Sequence, residues 1–314
     1  MHDVLIIGLG AAGYTAAIYA ARYKLKTLIV GAEDGGMGLT AAEVGNWPGI
    51  IDIKGPDLME NFKKHAMSFE EVTHKIARVD RLQKKGDVFT VTFQSGETAE
   101  ARTVILATGS KKRHLGVKGE EEFSGRGVTY CATCDAFFYR GKDVAVIGGG
   151  DSAVEGAAIA AQVAKKVYLI HRRNAFRAEP YWVDRVKARD NVVFVLERNP
   201  QEIFGDEKVR GLRLDKAFEG SDEITLDGVF IEIGSDPSTD LAEQLGTALD
   251  KRGFIKVQPN QETSVPGVFA AGDNTNASNY FAQFTTAAGE GAVAANGAFS
   301  HLQTAGSKGF MSGG

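Results

Sequence analysis

Apolar residues along this chain come in short runs that end on glycine. Val4-Leu5-Ile6-Ile7 is one, and it stops at Gly8-Leu9-Gly10. An Ala-rich, helix-prone segment covers 11–23, and a second β-rich run covers 27–30. A short apolar run fits a buried strand, so the three segments predict a βαβ unit. The pattern returns at an offset of 140 residues (148 minus 8): an apolar run at 144–147, Gly148-Gly149-Gly150, a helix-like stretch at 152–164 and a strand at 167–170. Between the two units, 87–93 and 103–106 read as strands around the turn Gln94-Ser95-Gly96. The apolar run 229–233 closes the second unit, because Gly234-Ser235-Asp236-Pro237 breaks the pattern. A further strand ends on Gly272-Asp273, a small-residue helix is expected over about 285–299, and the tail 303–314 is expected to fray. The fold class is α/β with two Rossmann-like dinucleotide-binding domains.

The length of 314 residues agrees with about two domains. Hydrophobic residues at 43% and charged residues at 24% fit a globular chain and exclude intrinsic disorder. A net charge of -4 offers no electropositive excess, so nucleic acid is not an expected partner. No apolar run approaches the ~18 residues of a membrane span, and the N-terminus lacks a basic, cleavable leader. A cytoplasmic protein that does not engage membranes is expected.

Gly8, Gly10 and Gly13 follow a strand and open a helix. Glycine at these places allows a tight turn, lets backbone N–H groups approach a pyrophosphate, and lets helix pack on sheet. Glu33 lies 20 positions past Gly13 (33 minus 13), where an acid meets a ribose hydroxyl. The second loop, Gly148-x-Gly150-x-x-Ala153, is the variant with alanine third. After its next strand come His171, Arg172 and Arg173, with Arg177 close behind. Guanidiniums suit bidentate binding of a 2′-phosphate that an acid would repel, so NADP(H) is expected over NAD(H).

The chain's two cysteines, Cys131 and Cys134, are spaced C-x-x-C. A structural zinc site needs four ligands, and the six histidines show no His-x₃₋₅-His spacing, so a redox dithiol is favoured and no metal is expected. Asp135, next to the second sulfur, can supply or take a proton during exchange, or can act only as a helix-start acid. Two dinucleotide sites and one C-x-x-C imply a nicotinamide-to-flavin-to-disulfide electron chain, since a disulfide is a poor hydride acceptor and a flavin bridges the two.

In these segments, and in Glu43-Val44-Gly45-Asn46-Trp47-Pro48-Gly49, Ala107-Thr108-Gly109, Phe176-Arg177-Ala178 and the run that ends on Gly272-Asp273, the chain resembles low-molecular-weight thioredoxin reductase. The resemblance implies an FAD domain split into 1–114 and 241–314, an inserted NADPH domain at 115–240, and a homodimer. It implies FAD contacts from Gly8, Gly10, Ala11, Ala12, Gly13, Glu33, Gly35, Gly36, Met37, Thr40, Asn46, Ala107, Thr108, Gly109, Gly272, Asp273 and Gln283. NADPH contacts would come from Gly148, Gly150, Asp151, Ser152, Ala153, His171, Arg172, Arg173 and Arg177. Cys131 would exchange with thioredoxin, Cys134 would be the flavin-proximal sulfur, and Asp135 the acid. The chain departs from the family at Met37, where Gly-Gly-Gln is usual, and at Ala282-Gln283, where Arg-Gln is usual. Those departures bear on NADPH use more than on FAD binding; within the same fold, the alternative is a flavoprotein with a ferredoxin or deazaflavin donor, or with another thiol-protein acceptor. A non-enzymatic redox sensor is the alternative from a different class.

Overall fold

The computed structural model describes residues 1–311, with side chains through Thr304. The chain divides into two compact units, Met1–Lys111 with the chain from Asp236 onward, and Lys112–Ser235. The crossings fall a few residues before 115 and 241.

In the first unit, a seven-stranded sheet among the described residues is centred on the strand His2–Ile7. It runs parallel to Thr27–Gly31 on one side and to Thr98–Leu106 on the other, with Leu5 beside both Leu28 and Val104. Val72–Ile76 extends the parallel part past Thr27–Gly31, and Val268–Ala270 pairs parallel with Thr98–Leu106. Val88–Phe93 and Val79–Lys85 complete the sheet as antiparallel strands. Alternation along the central strand builds two cores. Val4 and Ile6 join Ala16, Ala17, Ala20 and Phe269, whereas Leu5 and Ile7 join Leu82, Phe89, Val91 and Ala242. Burying each large aliphatic side chain contributes about 1.5–3 kcal/mol. The helix Ala11–Arg22 needs its small residues because Phe284–Met311 packs directly on it. A Cβ on Gly291 would lie 2.2 Å from the Ala12 carbonyl oxygen. This second helix continues past 299, and of the expected tail, residues 312–314 lie outside the described residues.

In the second unit, five parallel strands lie in the order Val192–Leu196, Lys166–His171, Asp143–Ile147, Gly228–Ile231, Val128–Thr129. Val146 sits between Leu169 and Phe230. An antiparallel sheet of Pro200–Gly205, Val209–Phe218 and Ser221–Thr225 belongs to the same unit. The helix after the glycine loop is Asp151–Ala160, shorter than the expected 152–164. Its end tightens into three-residue turns, Gln162 to Ile159 and Val163 to Ala160, and Lys165 then bonds to Lys142 to enter the next strand. Ala-rich composition alone does not mark that stop.

Candidate active site

The first glycine loop joins the central strand to its helix, and each glycine has a different reason to be there. Gly8 has φ +131, and a Cβ on it would lie 1.9 Å from the Ala107 carbonyl oxygen. A Cβ on Gly13 would lie 1.9 Å from the Gly8 carbonyl oxygen. Gly10 has no neighbouring atom within 4 Å of where its Cβ would stand, so the loop is open at that point. Gly10 also caps the helix Ala11–Arg22 without a side-chain hydrogen bond, and no acid stands in the first turn. The Ala11, Ala12 and Gly13 N–H groups at this helix start suit an anion.

The second loop comes alongside. Gly35 and Gly36 both have positive φ, the Gly35 N–H donates to the Leu9 carbonyl at 2.8 Å, and a Cβ on Gly36 would lie 3.9 Å from Gly10 Cα. Met37 is exposed, and its carbonyl accepts the Thr40 hydroxyl at 2.8 Å. Glu33 is exposed just past the strand Thr27–Gly31. Its neighbour Asp34, which the sequence did not single out, accepts from the Tyr14 hydroxyl at 2.5 Å and from Lys63 at 2.6 Å, with His74 Nε2 at 2.7 Å. Burial opposes the charge on Asp34, but the Lys63, Tyr14 and His74 hydrogen bonds prevail and hold its carboxyl below the usual range.

On the same unit, Ala107 N–H donates to Ile7, and the Thr108 hydroxyl donates to the Ser238 carbonyl at 2.6 Å while accepting from Asn274 at 2.9 Å. Gly109 has φ +61, and its carbonyl accepts the Ser238 N–H. Gly272 has φ +90, and a Cβ there would press on Ala12 at 3.1 Å. Its N–H is taken by Glu290, a buried carboxylate that also accepts the Thr275 hydroxyl. Asp273 makes no hydrogen bond among the described residues. Burial, and then the nearby Glu290 charge, push its carboxyl up to about 6. Asn46 and Gln283 are joined by a side-chain hydrogen bond of 3.0 Å. The structure thus brings the expected residues of the first unit to one end of the parallel strands, where such sheets bind ligands.

In the second unit, Gly148 has φ +149, and a Cβ on it would lie 2.2 Å from the Glu232 carbonyl oxygen and 2.6 Å from Ala153 Cβ. Gly150 faces open space, like Gly10. Gly149, absent from the expected set, is needed because the His171 ring lies against it. His171 is buried and stacks on Phe176; burial, then the Arg177, Arg173 and Arg172 charges, lower its pKa. Asp151 accepts the Glu179 N–H at 2.7 Å, and the Arg177 N–H donates to Gly149 at 2.7 Å. Ser152 stands in the first turn of the helix Asp151–Ala160. Arg172, Arg173 and Arg177 are exposed and make no ion pair among the described residues.

Cys131 and Cys134 form a disulfide across the short helix Ala132–Asp135, with Cys131 as its cap. Cys131 is half-buried and Cys134 exposed. The Cys134 N–H donates to Cys131 Sγ at 3.1 Å. Asp135 accepts from the Thr129 hydroxyl, whose oxygen also receives the Cys131 N–H at 3.3 Å. Two further carboxylates escaped sequence reasoning. Glu120 is buried, accepts from the Tyr130 hydroxyl at 2.9 Å, and caps the N–H groups of Leu115 and Gly116. Glu232 accepts the Ala132 N–H at 3.0 Å. Isolated acids of this kind carry no motif.

No helix among the described residues is long and apolar enough to cross a membrane. Residues 2–291 match the family of pyridine nucleotide-disulphide oxidoreductases. A thioredoxin reductase of Mycolicibacterium smegmatis is 45% identical over 298 residues, covering 94% of each chain. A Pseudomonas fluorescens protein named glucosaminate ammonia-lyase is also 45% identical, over 305 residues and 93% of each chain. The crystal structure of Lactococcus lactis thioredoxin reductase aligns with a TM-score of 0.91 at 35% identity, covering 97% of this chain and 100% of that one. The chain belongs to the pyridine nucleotide-disulphide oxidoreductase family, as a relative of its low-molecular-weight thioredoxin reductases.

Proposed function

We propose that the protein is an NADPH-dependent thioredoxin-disulfide reductase whose redox pair is Cys131 and Cys134. The observation that carries this reading is the C-x-x-C disulfide in the same unit as a glycine loop flanked by unpaired arginines. The first unit suits FAD. Its helix start lacks an acid, Gly10 is open, and the half-buried Asp273 carboxylate lacks the donors that ribityl hydroxyls would provide. Gly8, Gly10 and Gly13 would hold the pyrophosphate, Glu33 the adenosine ribose, and Asn46, Asp273 and Gln283 the flavin side. When bound, FAD supplies two-electron transfer between a hydride donor and sulfur.

NADPH would lie on Gly148, Gly150, Asp151, Ser152 and Ala153, with its 2′-phosphate on His171, Arg172, Arg173 and Arg177. In the thiol step, Cys131 as thiolate attacks the substrate disulfide and releases one substrate thiol. Cys134 then attacks the resulting mixed disulfide and releases the second, which leaves the Cys131–Cys134 disulfide and a reduced substrate. Asp135, held by Thr129, stores and returns a proton at Cys134. The same reading carries a homodimer and a cytoplasmic location.

The test is NADPH oxidation by the purified holoprotein with and without thioredoxin disulfide. Turnover that requires the disulfide protein, is lost in Cys134→Ser, and survives there only as flavin reduction by NADPH supports the reading. Full disulfide reduction by that variant overturns the cysteine assignment, and reduction by ferredoxin but not NADPH overturns the donor.

A further inference from the structure

The peptide between Cys131 and Ala132 is held by a residue 100 positions away. Its N–H donates to Glu232 Oε1 at 3.0 Å, and the other oxygen, Oε2, accepts from Lys112 Nζ at 2.6 Å. The Glu232 side chain is 5% exposed and that of Lys112 22%. Glu232 is fixed in turn, since its N–H donates to Ile147 at 2.9 Å and its carbonyl oxygen touches the Gly148 position. Ala132 is fully buried, and a Cβ on Gly156 would lie 2.7 Å from its methyl, so the start of this short helix packs closely on the helix Asp151–Ala160. Burial raises the Glu232 pKa, and the Lys112 charge and hydrogen bond oppose that rise.

A buried carboxylate one peptide from a redox sulfur disfavours the thiolate, and a cation on that carboxylate offsets it. We propose that Glu232, balanced by Lys112, is a positioning residue for disulfide exchange: it fixes the Cys131–Ala132 peptide and sets the acidity of the Cys131 thiol. This rests on the reading of Cys131 and Cys134 as a redox pair. The other ionisable groups around the turn stay unaltered in the test. They are Asp135 under Thr129, Tyr139, and the cluster of Tyr130, Glu120 and His114 on the residue before Cys131.

In a Cys134→Ser background, Cys131 is the sole thiol of the chain. Its alkylation rate by iodoacetamide against pH therefore reads that sulfur alone and needs no NADPH or thioredoxin. Glu232→Gln keeps an acceptor for the Ala132 N–H but removes the charge, so its profile is expected about 1 pH unit lower, a tenfold rise in thiolate at fixed pH. Lys112→Met is expected to move the profile upward, and the double variant to return close to the parent. Should Glu232→Gln alone fail to fold, adding it to Lys112→Met must still move the profile down. A Glu232→Gln profile that superimposes on the parent, single variants that move the same way, or a double variant still displaced overturns the proposal. A shift as expected in a protein without thioredoxin turnover would leave this inference standing and remove the functional reading instead.

Discussion

The Asn46 amide donates to the side-chain oxygen of Gln283 at 3.0 Å, across 237 positions of sequence. Gln283 is itself anchored, because its N–H donates to the Thr286 hydroxyl oxygen, and that hydroxyl donates to both the Gln283 and Phe281 carbonyls. The bond thus ties the loop around Asn46 to the start of the helix Phe284–Met311. Two residues singled out for the flavin side are therefore joined to each other.

That coupling predicts non-additive losses. Asn46→Ala and Gln283→Ala should each weaken FAD binding, and the double variant should cost less than their sum by about 0.5–1 kcal/mol, the lower part of the range for a hydrogen bond because this one is exposed. Titration of apoprotein with FAD, followed by flavin fluorescence, gives all four corners of the cycle. Strict additivity would show that the two side chains serve separate ends.

Gly8 and Gly10 should separate folding from binding. Gly8→Ala places a Cβ against the Ala107 carbonyl in a backbone conformation with φ +131, so a loss of roughly 2–4 kcal/mol in stability is expected. Gly10 has φ -94 and open space around it, so Gly10→Val should fold and yet bind little FAD. Thermal melting and the flavin-to-protein absorbance ratio measure the two effects. A yellow Gly10→Val protein would place the pyrophosphate elsewhere.

These glycines were legible because their signal is local: a strand, a turn and a helix within a few positions. Glu33 and the arginines after His171 were legible by spacing. Asp34 was not, since its partners Tyr14, Lys63 and His74 come from three other elements, and a single Asp beside a motif carries no mark of being their hub. Glu232, Glu120 and Glu290 escaped for the same reason. Each answers a backbone N–H that only the fold places opposite it.

Arg172 and Arg173 are exposed and make no ion pair among the described residues, so their removal should leave stability within ±0.5 kcal/mol. The Arg172→Ala/Arg173→Ala variant should instead raise the NADPH KM tenfold or more, at about 1.5–3 kcal/mol per charge-assisted contact, and leave the NADH KM nearly unchanged. Initial rates with both nucleotides decide it. Equal losses with NADPH and NADH would move the role of these arginines away from the 2′-phosphate.

Asp273 ties stability to pH with a definite sign. Its carboxyl rises from an ordinary 3.8 to about 6 in the fold, from burial and then from the Glu290 charge. The folded apoprotein therefore holds this proton more tightly than the unfolded chain. The stabilisation is complete below about pH 4 and is lost as pH rises through about 6. Asp273→Asn imitates the neutral form, so the variant and the parent should melt together near pH 4. At pH 8 the apo variant should be the more stable, by on the order of 1–3 kcal/mol. Binding should move the opposite way, because a carboxylate accepts ribityl hydroxyls better than an amide, and FAD affinity should fall in the same variant. Apoprotein melts at pH 4 and 8, with an FAD titration at pH 8, test both signs. If Asp273→Asn lowers apo stability at pH 8 as well as FAD affinity, the carboxylate is a structural group that the fold already satisfies, and the flavin site must be drawn without it.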